Sequence, residues 1–400
     1  MSEAPHASPG IGRVVLWGTC DTGKPRVRIL LQGLRECGVE VIDCHADLWA
    51  GIEDKSQIRG IGTWFRLALN ALKCYPALLL RYMRLPPHDW VLVGYPSIPD
   101  VFVIWPFARL RRARIALDWF LSAYDTIVLD RALIGWRNPL AKLIHATEWA
   151  GVRLSDAPFM DTGTHARRME SLFGLAAGSC GRVMVGVETD VFAPMPSSEG
   201  SPGGADAPAS ASGSGSDPLR IIFYGQFIPL HGIETIVAAA RLLRDSPVTW
   251  TLIGRGQEAA RIRAMLDADP VATLQWIDWV EYAELRRAIG SADVCLGIFG
   301  TSDKAASVIP NKVFQILAAG KPLITRDSPA IRELVADAPP CIRLVPAGDP
   351  GALAEALLLA LEARATIRGP CHRDLPAAIA PRAVGTQLTE ILAVAGRKDE

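Results

Sequence analysis

RIIFYGQFIPLHGIETIVAAARLL, residues 220–243, is the stretch on which the fold turns. Arg220 to Tyr224 is a short apolar run, rich in β-branched and aromatic residues, and reads as a buried strand. Gly225 to Gly232 then breaks the pattern with two glycines and a proline, and Ile233 to Leu243 resumes it as an amphipathic helix. The same plan opens the chain. Arg13-Val-Val-Leu-Trp17 leads into Gly18 to Lys24 and then into a helix near Arg26 to Cys37, with apolar residues at 27, 30, 31 and 34. Outward from these two starts, strand candidates alternate with helices: Val39–Ile42, Trp90–Gly94 and Arg114–Leu117, then Thr249–Ile253, Leu274–Trp276, Val294–Ile298, Pro322–Thr325 and Cys341–Val345. Strand, helix, strand at this spacing predicts an α/β protein of two Rossmann-like, doubly wound parallel-sheet domains facing a cleft. Ligands of such sheets collect at the carboxyl ends of the strands.

The boundary between the halves is Ser197 to Asp217, a Gly/Ser/Ala/Pro tract too poor in large apolar groups to order itself. The expected division is 1–182, a connection 183–217 and 218–400, with the last helix a candidate to pack back on the first domain. The whole chain carries 42 basic and 42 acidic groups, but residues 1–196 hold 22 and 19, leaving a small basic excess there and an acidic one after it. No long-range field draws in nucleic acid. The eight cysteines form no CxxC pair and no short ligand spacing, so no metal site is expected and a reduced, cytoplasmic chain is the simplest expectation. Val91 to Ala108 is apolar but broken by Ser97, Asp100 and prolines, so it is not a membrane span. Trp64 to Arg84 and the basic run Arg109 to Arg114 could instead rest on the inner membrane face.

Several motifs have competing readings. Gly18-Thr-Cys-Asp-Thr-Gly-Lys24 stands where a phosphate loop stands, yet Pro25 lacks the hydroxyl that would hold Mg²⁺ and reads as a first-turn proline. A P-loop-like kinase is thus a third-ranked reading. Gly254-Arg-Gly256-Gln-Glu-Ala259 approximates a dinucleotide fingerprint but suits a tight strand-to-helix turn. Asp267-Ala-Asp269 has the form of a carboxylate metal pair, in a setting where aspartates make turns. In Val308 to Thr325, Pro310 opens a helix and Gly320 ends it, so Asn311, Lys312 and Gln315 lie near a helix N-terminus, a setting suited to a diphosphate and ribose hydroxyls.

Val308 to Thr325, with Ala330-Ile-Arg-Glu-Leu334, resembles the nucleotide-binding region of glycosyltransferase family 4, retaining enzymes of the GT-B fold. Tyr224 to Gly232, Ile253 to Gly256, Ile289 to Leu296 and Gly186 to Pro194 are similar to further elements of that family, in the right order. The resemblance implies transfer of a sugar from a nucleotide-diphosphate donor to a glycan or lipid-linked acceptor, with retention, without a metal, and in cell-surface polysaccharide synthesis. It implies donor contacts at Gly225, Gln226, Gly232, Gly254, Gly256, Asn311, Gln315 and Glu333, with Lys312, His231 and Asp118 as catalytic candidates. Gly18, Lys24, Tyr124 and Asp125 are the acceptor-side candidates. The chain departs from the family where it matters chemically. The paired glutamates would fall at Ser307 and Gln315, and the basic pair at Gln226 and His231. A site rebuilt around Lys312 and His231 is one reading, and a catalytically silent protein that binds a nucleotide sugar or a partner transferase is the other.

Overall fold

The computed structural model describes residues 11–48, 61–96, 98–194, 217–336, 339–364, 371–372 and 374–397. The expected flexible tract at 197–217 lies outside these apart from Asp217. The chain divides into two compact units, Met1–Gly186 with Ile379–Glu400, and Val187–Ala378.

The first unit is a six-stranded sheet of β1 (Arg13–Gly18), β2 (Glu40–His45), β3 (Trp90–Val93), β4 (Arg114–Asp118), β5 (Ala157–Met160) and β6 (Gly181–Arg182), in the order β2-β1-β3-β4-β5-β6. Every pairing is parallel, with Val15 between Ile42 and Val91. β5 and β6 are the strands not expected from sequence, since β5 is interrupted by Pro158 and β6 is two residues long. The helix Pro25–Glu36 starts on its proline and buries Val27, Leu30, Leu31 and Leu34 against Val14, Leu16 and Leu92. Helix Pro381–Gly396 covers the same face with Val384, Leu388 and Leu392. The two helices meet backbone to backbone, because a Cβ at Gly385 would run into the main chain of Gly33, and one at Gly33 into that of Pro381 and Gly385. Each fully buried aliphatic side chain in this layer is worth roughly 1.5–3 kcal/mol.

The helices flanking β3 take up the apolar, basic stretches of the sequence. Ile61–Met83 turns Leu78 and Tyr82 into the sheet core and leaves Leu80 and Met83 outside. Ile98–Leu110 buries Val101, Ile104 and Ala108. Among the described residues no helix is long and apolar enough to cross a membrane. Two of the arginines that follow are committed internally. Arg109 pairs with Asp156 at 2.8 Å, and Arg111 donates to the carbonyls of Met83, Leu85 and Pro86.

The second unit is a six-stranded sheet of β7 (Leu219–Tyr224), β8 (Val248–Ile253), β9 (Leu274–Ile277), β10 (Val294–Leu296), β11 (Leu323–Arg326) and β12 (Ile342–Val345). Its order is β12-β11-β10-β7-β8-β9, all parallel. The connections run outward in one direction from β7 to β9 and then return to β10 on its other side. The order therefore reverses between β7 and β10, and an open α/β sheet holds its ligand at the carboxyl ends of the strands flanking such a reversal. In the first unit the equivalent point lies between β1 and β3. Asp269 pairs with Arg241 and Arg244 at the end of helix Ala259–Ala268, so the Asp267–Asp269 pair serves a turn.

Candidate functional site

At the end of β7 the chain enters Gly225 with φ +137°, a conformation that L side chains rarely adopt. The neighbouring loop after β8 presses against it. A Cβ at Gly254 would collide with the carbonyl of Gly225, and one at Gly256 would lie 2.6 Å from the carbonyl oxygen of Phe227. Phe227 N donates to Arg255 O at 2.9 Å, and Glu258 N donates back to Phe227 O at 2.8 Å. Glycine at 225, 254 and 256 thus lets two loops touch through their backbones. The loop after β10 joins on the other side. Gly232, with φ +62°, faces Gly300 N, and Phe299 N donates to His231 O at 3.0 Å. From β11, Arg326 N donates to Ile298 O and its guanidinium to the Gly300 carbonyl. Four strand ends converge here.

Lys312 reaches into this convergence from the first turn of helix Asn311–Ala318. It is 5% exposed, and its Nζ lies 3.7 Å from the centre of the Phe223 ring, a cation–π contact. Gly225 is shared ground, since a Cβ there would stand 3.0 Å from Lys312 Nζ and 3.2 Å from His231 Cε1. His231 Nδ1–H donates to the Gln226 carbonyl, which fixes how the ring sits. Lys312 Nζ has no hydrogen-bond partner among the described residues. Burial holds its pKa well below the usual lysine value. A buried amine that lacks an acceptor is costly, and such groups in folded proteins ordinarily mark a role beyond packing. An anion placed over Gly225 would supply the missing acceptor.

The structure therefore brings together Gly225, Gln226, His231, Gly232, Gly254, Gly256 and Lys312. Gln315, one turn beyond Lys312, is nearly buried, while Asn311 at the start of the helix is half-buried. Glu333 is half-buried on helix Pro329–Leu334, which follows β11. Ser307 bonds back to the Asp303 carbonyl within its own short helix. Phe223 and Arg326 are the site residues the sequence reading missed. Phe223 is an ordinary strand residue until Lys312 is seen lying on it, and Arg326 is one arginine among many until its bond to Gly300 appears.

The first unit places its candidates differently. Asp118 is fully buried at the end of β4, and both carboxylate oxygens are within 3.0 Å of the Arg26 guanidinium. The catalytic expectation for Asp118 is thereby corrected: an oxygen sealed in an internal ion pair does not touch a substrate. Asp125 is likewise fully buried and pairs with Arg168 at 2.6 Å. Tyr124 packs its ring on His145 and Phe173 and donates its N–H to Glu148. Lys24 sits half-buried at the start of helix Pro25–Glu36. The Gly18–Lys24 turn is also closed to phosphate. Thr19 N donates to Asp100 Oδ2 at 2.6 Å, Tyr75 OH donates to Asp100 Oδ1 at 2.7 Å, and Gly23 N donates to Asp21. Burial raises the Asp100 carboxyl to about 6. A carboxylate of the protein fills the place where a phosphate loop would hold its ligand, which removes the support for a kinase.

Residues 218–363 match the sequence profile of the family described as glycosyl transferases group 1. The matched residues all lie within the second unit. A stretch of 105 residues is 30% identical to WcaI of Escherichia coli (strain K12), a glycosyl transferase assigned to colanic acid biosynthesis, covering 26% of each chain. A stretch of 107 residues is 27% identical to the assigned glycosyltransferase WbjE of Pseudomonas aeruginosa, covering 26% of this chain and 25% of that one. The match thus spans about a quarter of the length of these curated relatives. Solved structures extend the likeness in fold over the whole chain. The catalytic domain of starch synthase IV from Arabidopsis thaliana, bound to ADP and acarbose, has a TM-score of 0.65 at 11% identity, with 96% of this chain and 99% of that chain covered. Sucrose-phosphate synthase from Thermosynechococcus elongatus gives 0.61 at 16% identity, with 96% and 94% covered. Anabaena HepE in complex with UDP gives 0.62 at 11%, with 96% and 100% covered. The fold is the GT-B pair of Rossmann-like domains.

Proposed function

We propose that this protein is a glycosyltransferase whose group 1 domain holds a nucleotide-diphosphate sugar at the carboxyl ends of β7, β8 and β10. The single observation that carries the reading is the amine of Lys312, buried over Gly225 and beside His231 with no hydrogen-bond partner among the described residues. In the transfer, the bond from the anomeric carbon to the β-phosphate oxygen breaks and a bond to the acceptor oxygen forms. The acceptor's proton passes to the departing diphosphate, and configuration is retained. Lys312 holds the charge that develops on the diphosphate, and the glycine loops admit it close to the backbone. No metal is required in this scheme. The acceptor is proposed to be a glycan or a lipid-linked precursor of cell-surface polysaccharide. Exposed apolar groups of the first unit support a membrane-facing acceptor: Leu110 is 71% and Trp136 62% exposed, with Arg137 stacked on Trp136.

Incubating the protein with UDP, GDP, dTDP and ADP sugars and glycan or polyprenyl acceptors, and measuring free nucleoside diphosphate, tests the reading. Turnover with one donor, lost in Lys312→Met, is the expected result. A second reading is favoured by the missing carboxylates at Ser307 and Gln315: the domain binds a nucleotide sugar without transferring it. Tight binding of a donor with no product for any acceptor would select that reading.

A further inference from the structure

At the opposite end of the second sheet, before β11 and β12 begin, three residues distant in sequence meet: Cys341, Cys371 and His372. Their Sγ, Sγ and ring nitrogen atoms all lie within 4.8 Å of one another. Cys341 Sγ is 3.7 Å from His372 Nδ1. With metal–sulfur bonds of about 2.3 Å and metal–nitrogen bonds of about 2.0–2.1 Å, the edge of a tetrahedral site between these atoms would be about 3.5 Å. The other ring nitrogen is spoken for, since His372 Nε2–H donates to the Lys321 carbonyl at 2.8 Å. That bond turns the Nδ1 lone pair toward the sulfurs, the arrangement by which proteins orient a ligating imidazole. Burial keeps His372 neutral by lowering its pKa, and raises the Cys371 thiol to about 12.

We propose that Cys341, Cys371 and His372 bind a zinc-type divalent ion, with water in the fourth position. Two thiolates and an imidazole are a donor set that favours such borderline-soft ions over Mg²⁺ or Ca²⁺. Each cysteine gives up its proton to solvent as the ion binds, and the two thiolates balance the charge of the ion. The ion would act as a fastener. Among the described residues of the segment from Cys371 to Ala378 the one regular element is the short helix Leu375–Ala378, which buries none of its residues. Its other ties include Cys371 N to Gly320 O at 3.0 Å and the His372 bond to Lys321. Coordination would pin this segment to the start of β12, next to the point where the chain leaves the second unit. The spacing hid the site, because Cys341 stands thirty residues before Cys371.

Titrating the reduced, metal-free full chain with Co²⁺ tests the proposal. One equivalent should produce the thiolate-to-cobalt charge-transfer absorption and be displaced by Zn²⁺. Cys341→Ser and Cys371→Ser should each lose it, while Cys37→Ser should retain it. A readout on the unaltered chain guards against variants that fail to fold: Zn²⁺ should slow alkylation of Cys341 and Cys371, mapped by peptide mass, and leave Cys37 unchanged. Absence of the absorption, its survival in both serine variants, equal alkylation with and without Zn²⁺, or isolation of the chain with a Cys341–Cys371 disulfide and no metal would each overturn it.

Discussion

The carboxyl ends of β1 and β7 are the same place in two similar sheets, and they are finished in opposite ways. Each strand runs into a glycine of positive φ at its carboxyl end, Gly18 at +112° closing β1 and Gly225 at +137° following β7, beside the reversal in strand order. At β1 the space beyond the glycine holds Asp100, a fully buried carboxylate that takes the amide and hydroxyl of Thr19 and the hydroxyl of Tyr75. At β7 it holds Lys312, a buried amine with no hydrogen-bond acceptor among the described residues. One turn is chemically complete and the other wants an anion. The same strand–glycine–helix plan therefore does not give the same chemistry: a side chain contributed from a later element fills one turn and, in the function proposed above, leaves the other for the diphosphate.

The largest effect that sharpens this contrast is structural. Arg26→Met takes the guanidinium away from the fully buried Asp118 carboxylate, which should cost about 3–5 kcal/mol of stability in urea unfolding. Because the pair belongs to the first unit, affinity for nucleoside diphosphate should be unchanged in the folded fraction. Asp100 gives the next effect. Its folded pKa of about 6 lies above the unfolded value, so the folded state binds the extra proton. Stability is then greatest below about pH 4 for this group and falls as pH rises toward 6, by up to about 3 kcal/mol. Asp100→Asn should flatten that part of the curve, and an unchanged slope would show that the β1 turn is not filled by a strained carboxylate.

Gly254→Ala follows. Its φ of +152° and the collision with the Gly225 carbonyl predict a loss of about 1–3 kcal/mol, with weakened donor binding as the two loops separate. Retained affinity would mean that the glycine loops do not shape the site. The smallest effect is in pH. The ammonium form of Lys312 is needed for the anion, and burial lowers its pKa. Diphosphate affinity should therefore hold steady at lower pH and fall about tenfold per unit above the depressed lysine value. Lys312→Met should bind weakly and without that dependence.

Much of this organisation is legible in the sequence because parallel strands buried on both faces leave continuous apolar runs. Ile221–Tyr224 and Trp90–Val93 stand out for that reason, whereas Gly181–Arg182 is too short to leave a pattern in residue type. Lys312 is legible as a helix-start cation. What sequence does not carry is who meets whom across the sheet. Asp118 has the look of an active-site carboxylate because it ends a strand, and only the Arg26 contact, ninety-two positions away, shows it closed. Asp100 filling the first turn and Phe223 lying under Lys312 are contacts of the same kind, as is the meeting of Cys341 with His372. Each depends on register between distant segments, which no local pattern records.

The most direct test of the central claim is calorimetric titration of the full chain with UDP, GDP, ADP and dTDP, comparing the unaltered protein with Lys312→Met and Lys24→Met. The predicted result is binding of at least one diphosphate that weakens by about 100-fold or more in Lys312→Met and stays unchanged in Lys24→Met. Binding that survives in Lys312→Met and is lost in Lys24→Met would contradict the claim, because it would put the anion at the β1 turn that Asp100 is said to fill.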